Sequence, residues 1–223
     1  MIDDILAKRK HVMEYDTDVE APKRSLINSL LQRAWKVTPT KNNLMPYKIH
    51  VLGPEHQHYK NLVFLNSCKN EIWANSHNKI KGMDEIEQIK SPAYENIKSC
   101  AYLLIFQLRL AGDFNPYQQS CWDRGVYYDP ATEEGLMDSL PAISIECGMF
   151  ATALCGLCLE NRIDASYTLN FSRTDSDWKD LPFVDRRVLL LMTLGKGKKY
   201  RQNDQEYKDD FKPDYHKIIN FID

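Results

Sequence analysis

The stretch Pro141–Arg162, PAISIECGMFATALCGLCLENR, is apolar almost all round. A helix without a polar face cannot lie on a wet surface, so the rest of the chain must build something around it. Ala142, Ser144, Gly148, Ala151, Ala153 and Gly156 keep its girth small and would let another helix approach closely. The chain has 223 residues, 43% of them hydrophobic, which is enough for a sizeable core in one domain. No run approaches the roughly 20 apolar residues of a membrane span, so the segment is read as core.

The flanking segments supply the surroundings. Residues 22–36, PKRSLINSLLQRAWK, place Leu26, Ile27, Leu30, Leu31, Ala34 and Trp35 on one helical face, with Pro22 suited to the first turn. In YKIHVL, Tyr47, Ile49 and Val51 alternate with Lys48 and His50, which predicts a half-buried strand. The run CAYLLIFQLRL, 100–110, predicts a strand buried on both faces. Short strands are expected at 163–168 and 187–194, separated by a helical turn in DSDWKDLPFVD. Residues 55–98 are polar, with helix-like pieces and no strong signal, 111–140 read as a long irregular excursion, and the segment from Lys196 onward reads as a polar tail or arm. The fold class is α+β: a small mixed sheet wrapped by helices around a buried central helix. Residues 1–200 form the domain and 201–223 a C-terminal arm.

Charge excludes some functions and raises others. With a net charge of −2, nucleic acid and membrane surfaces are not expected as partners. The opening MIDDILAKRKHVMEYD reverses the order of a secretory signal, so the six cysteines are expected to be reduced thiols and the protein cytoplasmic. Cys155 and Cys158 form a CxxC, but they lie deep in the apolar run, where packing is the better reading. His56 and His58 read as a solvated turn, and no metal site is expected.

Two basic clusters stand far apart in sequence: Lys8, Arg9, Lys10 and His11, then Lys196, Lys198, Lys199 and Arg201. They could be two solvated faces, or folding could bring them onto a shared phosphate. The turn TPTKNN offers the hydroxyls of Thr38 and Thr40, the Lys41 ammonium and the amides of Asn42 and Asn43. Such a turn can satisfy its own backbone, or it can edge a flat heterocycle.

Taken in order, these pieces resemble the FMN-dependent nitroreductase family. KRKHVMEYD looks like its basic opening segment, and TPTKNNLMPYKIHVL is similar to its polar turn and following strand. The small-residue helix, IDASYTLNF and LLLMTLGKGKKYR follow in the family's order. The resemblance implies an intertwined homodimer with FMN at the subunit interface. Arg9, Lys10 and His11 would meet the phosphate end, helped by Lys199 and Arg201. Thr40, Lys41 and Asn43 would reach the isoalloxazine from the neighbouring subunit, and Leu169 and Asn170 would present backbone near N5.

The implied chemistry is ping-pong transfer of hydride from NAD(P)H through FMN to a small, nitroaromatic or quinone-like acceptor, with no side chain required as acid or base. Alternatives on the same scaffold are a flavin store without turnover, a flavin-consuming or dehalogenating relative, and a structural dimer without flavin. The chain departs from the family pattern at Met13, Thr40, Lys41, Met45 and Tyr47, and Lys41 could replace the charge missing at Met13. The aromatic excursion, with Phe114, Tyr117, Trp122, Tyr127 and Tyr128, is a candidate wall over the flavin or simply packing of an insertion.

Overall fold

A computed structural model describes residues 5, 9–40, 44–78, 95–112, 114, 116–125, 132–169, 171–172 and 175–201. Strand β1 (Val12–Tyr15) is followed by helix α1 (Arg24–Val37), β2 (Tyr47–Leu52), α2 (Gln57–Asn78) and α3 (Glu95–Ser99). Then come β3 (Tyr102–Leu108), α4 (Pro116–Asp123), α5 (Glu133–Asp138), α6 (Leu140–Glu160), β4 (Asp164–Thr168), β5 (Val188–Gly195) and β6 (Gly197–Tyr200).

The main sheet has the order β2-β3-β5-β4, and a separate ribbon pairs β1 with β6. All of these pairs are antiparallel, so the sheet is not the mixed one expected. Long connections of the kind that join β2 to β3 and β3 to β5 leave either sense open, and side-chain alternation carries no information on direction.

β3 is buried at every position, because both faces of the sheet are covered. Leu104, Phe106 and Leu108 join a core with Ile27, Leu30 and Ala34 of α1 and with Ile143, Phe150 and Leu154 of α6. Leu103 and Ile105 point the other way, toward Val63 of α2, Ile97 of α3, and Val12 and Tyr15 of β1. One strand thus feeds two cores through the period of two.

Several local expectations are corrected by these contacts. The polar segment 55–98 holds the 22-residue α2, whose buried Lys60 and Asn66 mask a helical pattern. The segment 111–140 contains the short α4 and α5. What reads as tail from Lys196 begins with β6. Trp35, expected on the buried face of α1, is 58% exposed, while Ile27, Leu30 and Ala34 are buried.

The central helix is corrected in two respects. α6 buries Ile143, Glu146, Cys147, Phe150, Ala151, Leu154, Cys155 and Cys158, yet Ile145 on its other flank is 65% exposed in the single chain. Its 21 residues are also long and apolar enough, by length and composition, to cross a membrane. Its buried side is nevertheless seated on the sheet, where the core of a soluble domain has the same composition.

Candidate functional site

The ribbon brings the two basic clusters together. Pairing of Val12 with Tyr200 and of Glu14 with Lys199 sets the N-terminal segment beside β6. The Arg201 N–H donates to the His11 carbonyl at 3.0 Å, and the Asp16 N–H to the Lys196 carbonyl at 2.7 Å. The ribbon is tied to the main sheet from below. The Val12 N–H donates to Ser166 Oγ at 2.8 Å, Asn96 Nδ2 donates to the Val12 carbonyl at 3.0 Å, and the Gly197 N–H donates to Asp164 Oδ2 at 2.8 Å. Gly195 is required here, because a Cβ would lie 2.8 Å from the Tyr15 ring.

On this platform the Arg9 guanidinium lies 5.1 Å over the Tyr167 ring and the Lys10 ammonium 5.2 Å over Tyr200, both within cation–π range. Lys199 is ion-paired with Glu14, and that hydrogen bond holds the Glu14 carboxyl below its ordinary pKa. Arg9, Lys10, His11, Lys199 and Arg201 are therefore neighbours at one end of the molecule.

Tyr167 leads from that end into a cavity of about 430 Å³, within the usual range for small-molecule sites. Its floor is the outer side of α6, with Ser144, Gly148, Ala151 and Thr152, and its rim carries Leu169 and Arg187. A Cβ added to Gly148 would meet nothing within 4 Å, so the floor there is open. Leu169 lines this cavity. Asn170 lies outside the described residues, as do Lys41 and Asn43.

Thr40 is placed elsewhere. Its hydroxyl donates to Glu146 Oε2 at 2.6 Å and accepts from the Met45 N–H at 3.1 Å. At about 3.6 residues per turn, Glu146 and Gly148 stand on roughly opposite sides of α6. Within one chain the polar turn and the basic cluster are therefore separated by the helix. Arg109 holds the same turn, donating from Nη2 to the Leu44 carbonyl at 2.8 Å and from Nε to the Met45 carbonyl at 3.3 Å. The Tyr47 hydroxyl is buried beside this turn with no partner among the described residues, and burial raises its pKa.

Sequence reasoning missed Tyr167, Glu146, Arg109 and Arg187. An acidic residue in an apolar helix was a visible signal for Glu146, whereas nothing local marked the other three. The aromatic excursion is only partly placed. Phe114 and Trp122 pack together at 5.3 Å, Tyr117 is exposed, and none of the three lines the cavity. Tyr127 and Tyr128 lie outside the described residues. The six cysteines are buried and none is in a disulfide, and burial pushes the Cys158 thiol up to about 12, which suits packing and not redox exchange. His56 Nδ1 accepts from the Gly53 N–H at 3.1 Å in a turn. Among the described residues no cluster could hold a metal ion.

No protein-family model matches the chain, and none of the curated proteins matches it by sequence. Solved structures do match. A nitroreductase-like protein from Streptococcus mutans superposes with a TM-score of 0.67 at 13% identity, over 99% of this chain and 97% of that one. The fold is nitroreductase-like. A nitroreductase from Exiguobacterium sibiricum, solved in complex with FMN, gives a TM-score of 0.66 at 12% identity over 100% and 97% of the two chains. Oxidized iodotyrosine deiodinase bound to FMN and 3-iodo-L-tyrosine gives 0.58 at 14% identity over 90% and 92%. The likeness spans the nitroreductase-like fold from end to end, so the resemblance read from short segments extends to the whole architecture.

Proposed function

We propose that this chain is an FMN-dependent oxidoreductase, acting as a homodimer, that draws electrons from NAD(P)H and passes them to a small acceptor. The Arg9 guanidinium over Tyr167, which lines the cavity, with Lys10 and Arg201 beside it along the ribbon, carries this reading. A dianionic phosphate needs clustered cations, and a planar ring needs a flat, mostly apolar floor of small residues; both are adjacent here.

Bound FMN would supply hydride acceptance and delivery, chemistry that the protein's side chains lack. The protein's task is orientation and charge. Arg9, Lys10 and Arg201 hold the phosphate end, with Lys199 contributing as it exchanges with Glu14. Ser144 and Thr152 offer hydroxyls along the floor, and backbone near Leu169 faces the ring edge. The turn carrying Thr40 serves the site of the partner, because α6 separates it from the basic cluster of its own chain. Donor and acceptor use the same open face in turn, which makes the kinetics ping-pong. NAD(P)H as donor and a nitroaromatic or quinone-like acceptor follow from the family resemblance.

A second reading keeps the cofactor and changes the acceptor. The deiodinase neighbour carries an iodinated aromatic ligand, which favours testing halogenated phenols beside nitroaromatics and quinones.

The experiment is anaerobic absorbance of the purified protein with added FMN, before and after NADH or NADPH. Bound flavin that bleaches supports the oxidoreductase; bound flavin that persists supports storage, and no binding ends the flavin reading. Replacing Arg9 and Arg201 together by alanine is expected to weaken FMN by at least about tenfold, roughly 1.4 kcal/mol. Unchanged affinity would remove the phosphate assignment.

A further inference from the structure

Glu146 is out of character with its helix. It is a buried carboxylate in the middle of a helix whose other charged residue, Glu160, stands at its last position. A buried charge is costly unless it is hydrogen-bonded, so its place has to be explained by what it holds. It holds Thr40, whose hydroxyl donates to Oε2 at 2.6 Å. The same hydroxyl accepts from the Met45 N–H at 3.1 Å, which ties Met45 to Thr40. Met45 sits at φ 44°, in the left-handed region that costs a side-chain-bearing residue energy. A strained backbone persists only where its surroundings hold it. Arg109 supplies the second grip, through the carbonyls of Leu44 and Met45. Neither Glu146 nor Arg109 lines the cavity beside Leu169.

We infer that Glu146 is a positioning residue, fixing Thr40 and through it Met45, with Thr40 the residue that the proposed function sets against the flavin of the partner. The flavin half of this inference rests on that reading, while the clamp rests on the hydrogen bonds alone. A carboxylate in the middle of α6 therefore couples the helix that floors one site to the residue that edges the other.

The test uses the full-length protein with Glu146→Ala, Glu146→Gln and Thr40→Val. Two quantities are measured: amide hydrogen exchange at Met45 without FMN, and the FMN dissociation constant. Glu146→Ala is expected to speed Met45 exchange and weaken FMN by about tenfold each, the worth of one charge-assisted hydrogen bond. Glu146→Gln keeps an acceptor oxygen for Thr40 and should stay within about threefold of the parent protein in both. Thr40→Val removes both this bond and the acceptor of the Met45 N–H, so it should speed Met45 exchange at least as much as Glu146→Ala.

Unchanged Met45 exchange in Glu146→Ala overturns the clamp. Faster exchange with unchanged FMN affinity overturns the positioning role, and equal losses in the glutamine and alanine variants replace it with a charge effect. If the parent protein binds no FMN, the oxidoreductase reading and the positioning role both fall, and exchange alone decides the clamp. Should Glu146→Ala not fold, Glu146→Met removes the same acceptor at nearly equal volume and is judged by the same two readouts.

Discussion

The two faces of the four-stranded sheet are closed by helices of different character. Under α2 and α3 the burial is local work: Val63, Ile97, Leu103, Ile105 and Tyr15 interlock, and polar side chains such as Lys60 find carbonyl partners. α2 leaves Leu65 exposed, but it carries polar residues all along its length. Under α1 and α6 the inner surface is equally well filled, yet Ile145, Met149, Trp35 and Val37 remain exposed on the outside. Exposed apolar surface of this kind marks an interaction face. The cavity and the polar turn both lie on that second side, flanking α6. The α1–α6 face leaves more apolar surface exposed, and that is where a second copy would seat in the proposed dimer.

The largest effect expected from this asymmetry is alkaline. Cys147, Cys155 and Cys158 are on α6 and Cys100 is on the α3 side; burial raises all four thiols, Cys100 and Cys158 to about 12 from an ordinary 9.0. A raised acid keeps its proton in the folded state after the unfolded chain has lost it. Its stabilising contribution is therefore intact below the unfolded value and is lost as pH rises toward the folded one. Each such thiol should cost about 1.4 kcal/mol per pH unit above about 9. Lys60, whose pKa is lowered by burial, works in the opposite sense below its unfolded value. Urea midpoints followed from pH 8 to 11 should fall, and replacing the three α6 thiols with alanine should flatten the slope more than Cys100→Ala does. Equal flattening would break the comparison.

Gly148→Trp sharpens it on the outer surface. Within one chain a Cβ there meets nothing within 4 Å and the cavity beside it offers room, so the monomer is expected to stay folded. Self-association measured by sedimentation should weaken by at least about a hundredfold, roughly 2.7 kcal/mol. A dimer of unchanged strength would place the interface elsewhere.

The smallest effect concerns the seam between the faces and the turn. The Tyr47 hydroxyl is buried without a partner among the described residues, and a buried unsatisfied group costs about 1–3 kcal/mol. Tyr47→Phe should then raise the urea midpoint of the FMN-free protein by about 1 kcal/mol in stability terms. A loss of stability would mean that the hydroxyl is engaged, and that the turn is tied to β2 as well as to α6.

Much of this fold was legible locally. Apolar runs and alternation marked α1, β2, β3, β4 and β5 to within a residue or two, because a strand or helix that buries one side must write that period into its sequence. The full extent of α2 was hidden because its buried positions include Lys60 and Asn66, whose hydrogen-bond partners lie far away in sequence. β1 and β6 were hidden because four-residue strands carry almost no periodic signal and gain their stability from each other. Of the candidate site, the basic clusters and the polar turn were visible as composition, and their resemblance to a family put them in order.

Side-chain chemistry and local period were settled by the chain order itself: which segments are apolar, where the cations and hydroxyls sit, and that one helix has no polar face. Tertiary structure decided adjacency. It placed Arg9 over Tyr167, set Lys199 against Glu14, put Thr40 on Glu146, and left one flank of α6 bare. Those pairings join residues far apart in sequence, so their free energy exists only once both partners have been carried there by the packing of the sheet.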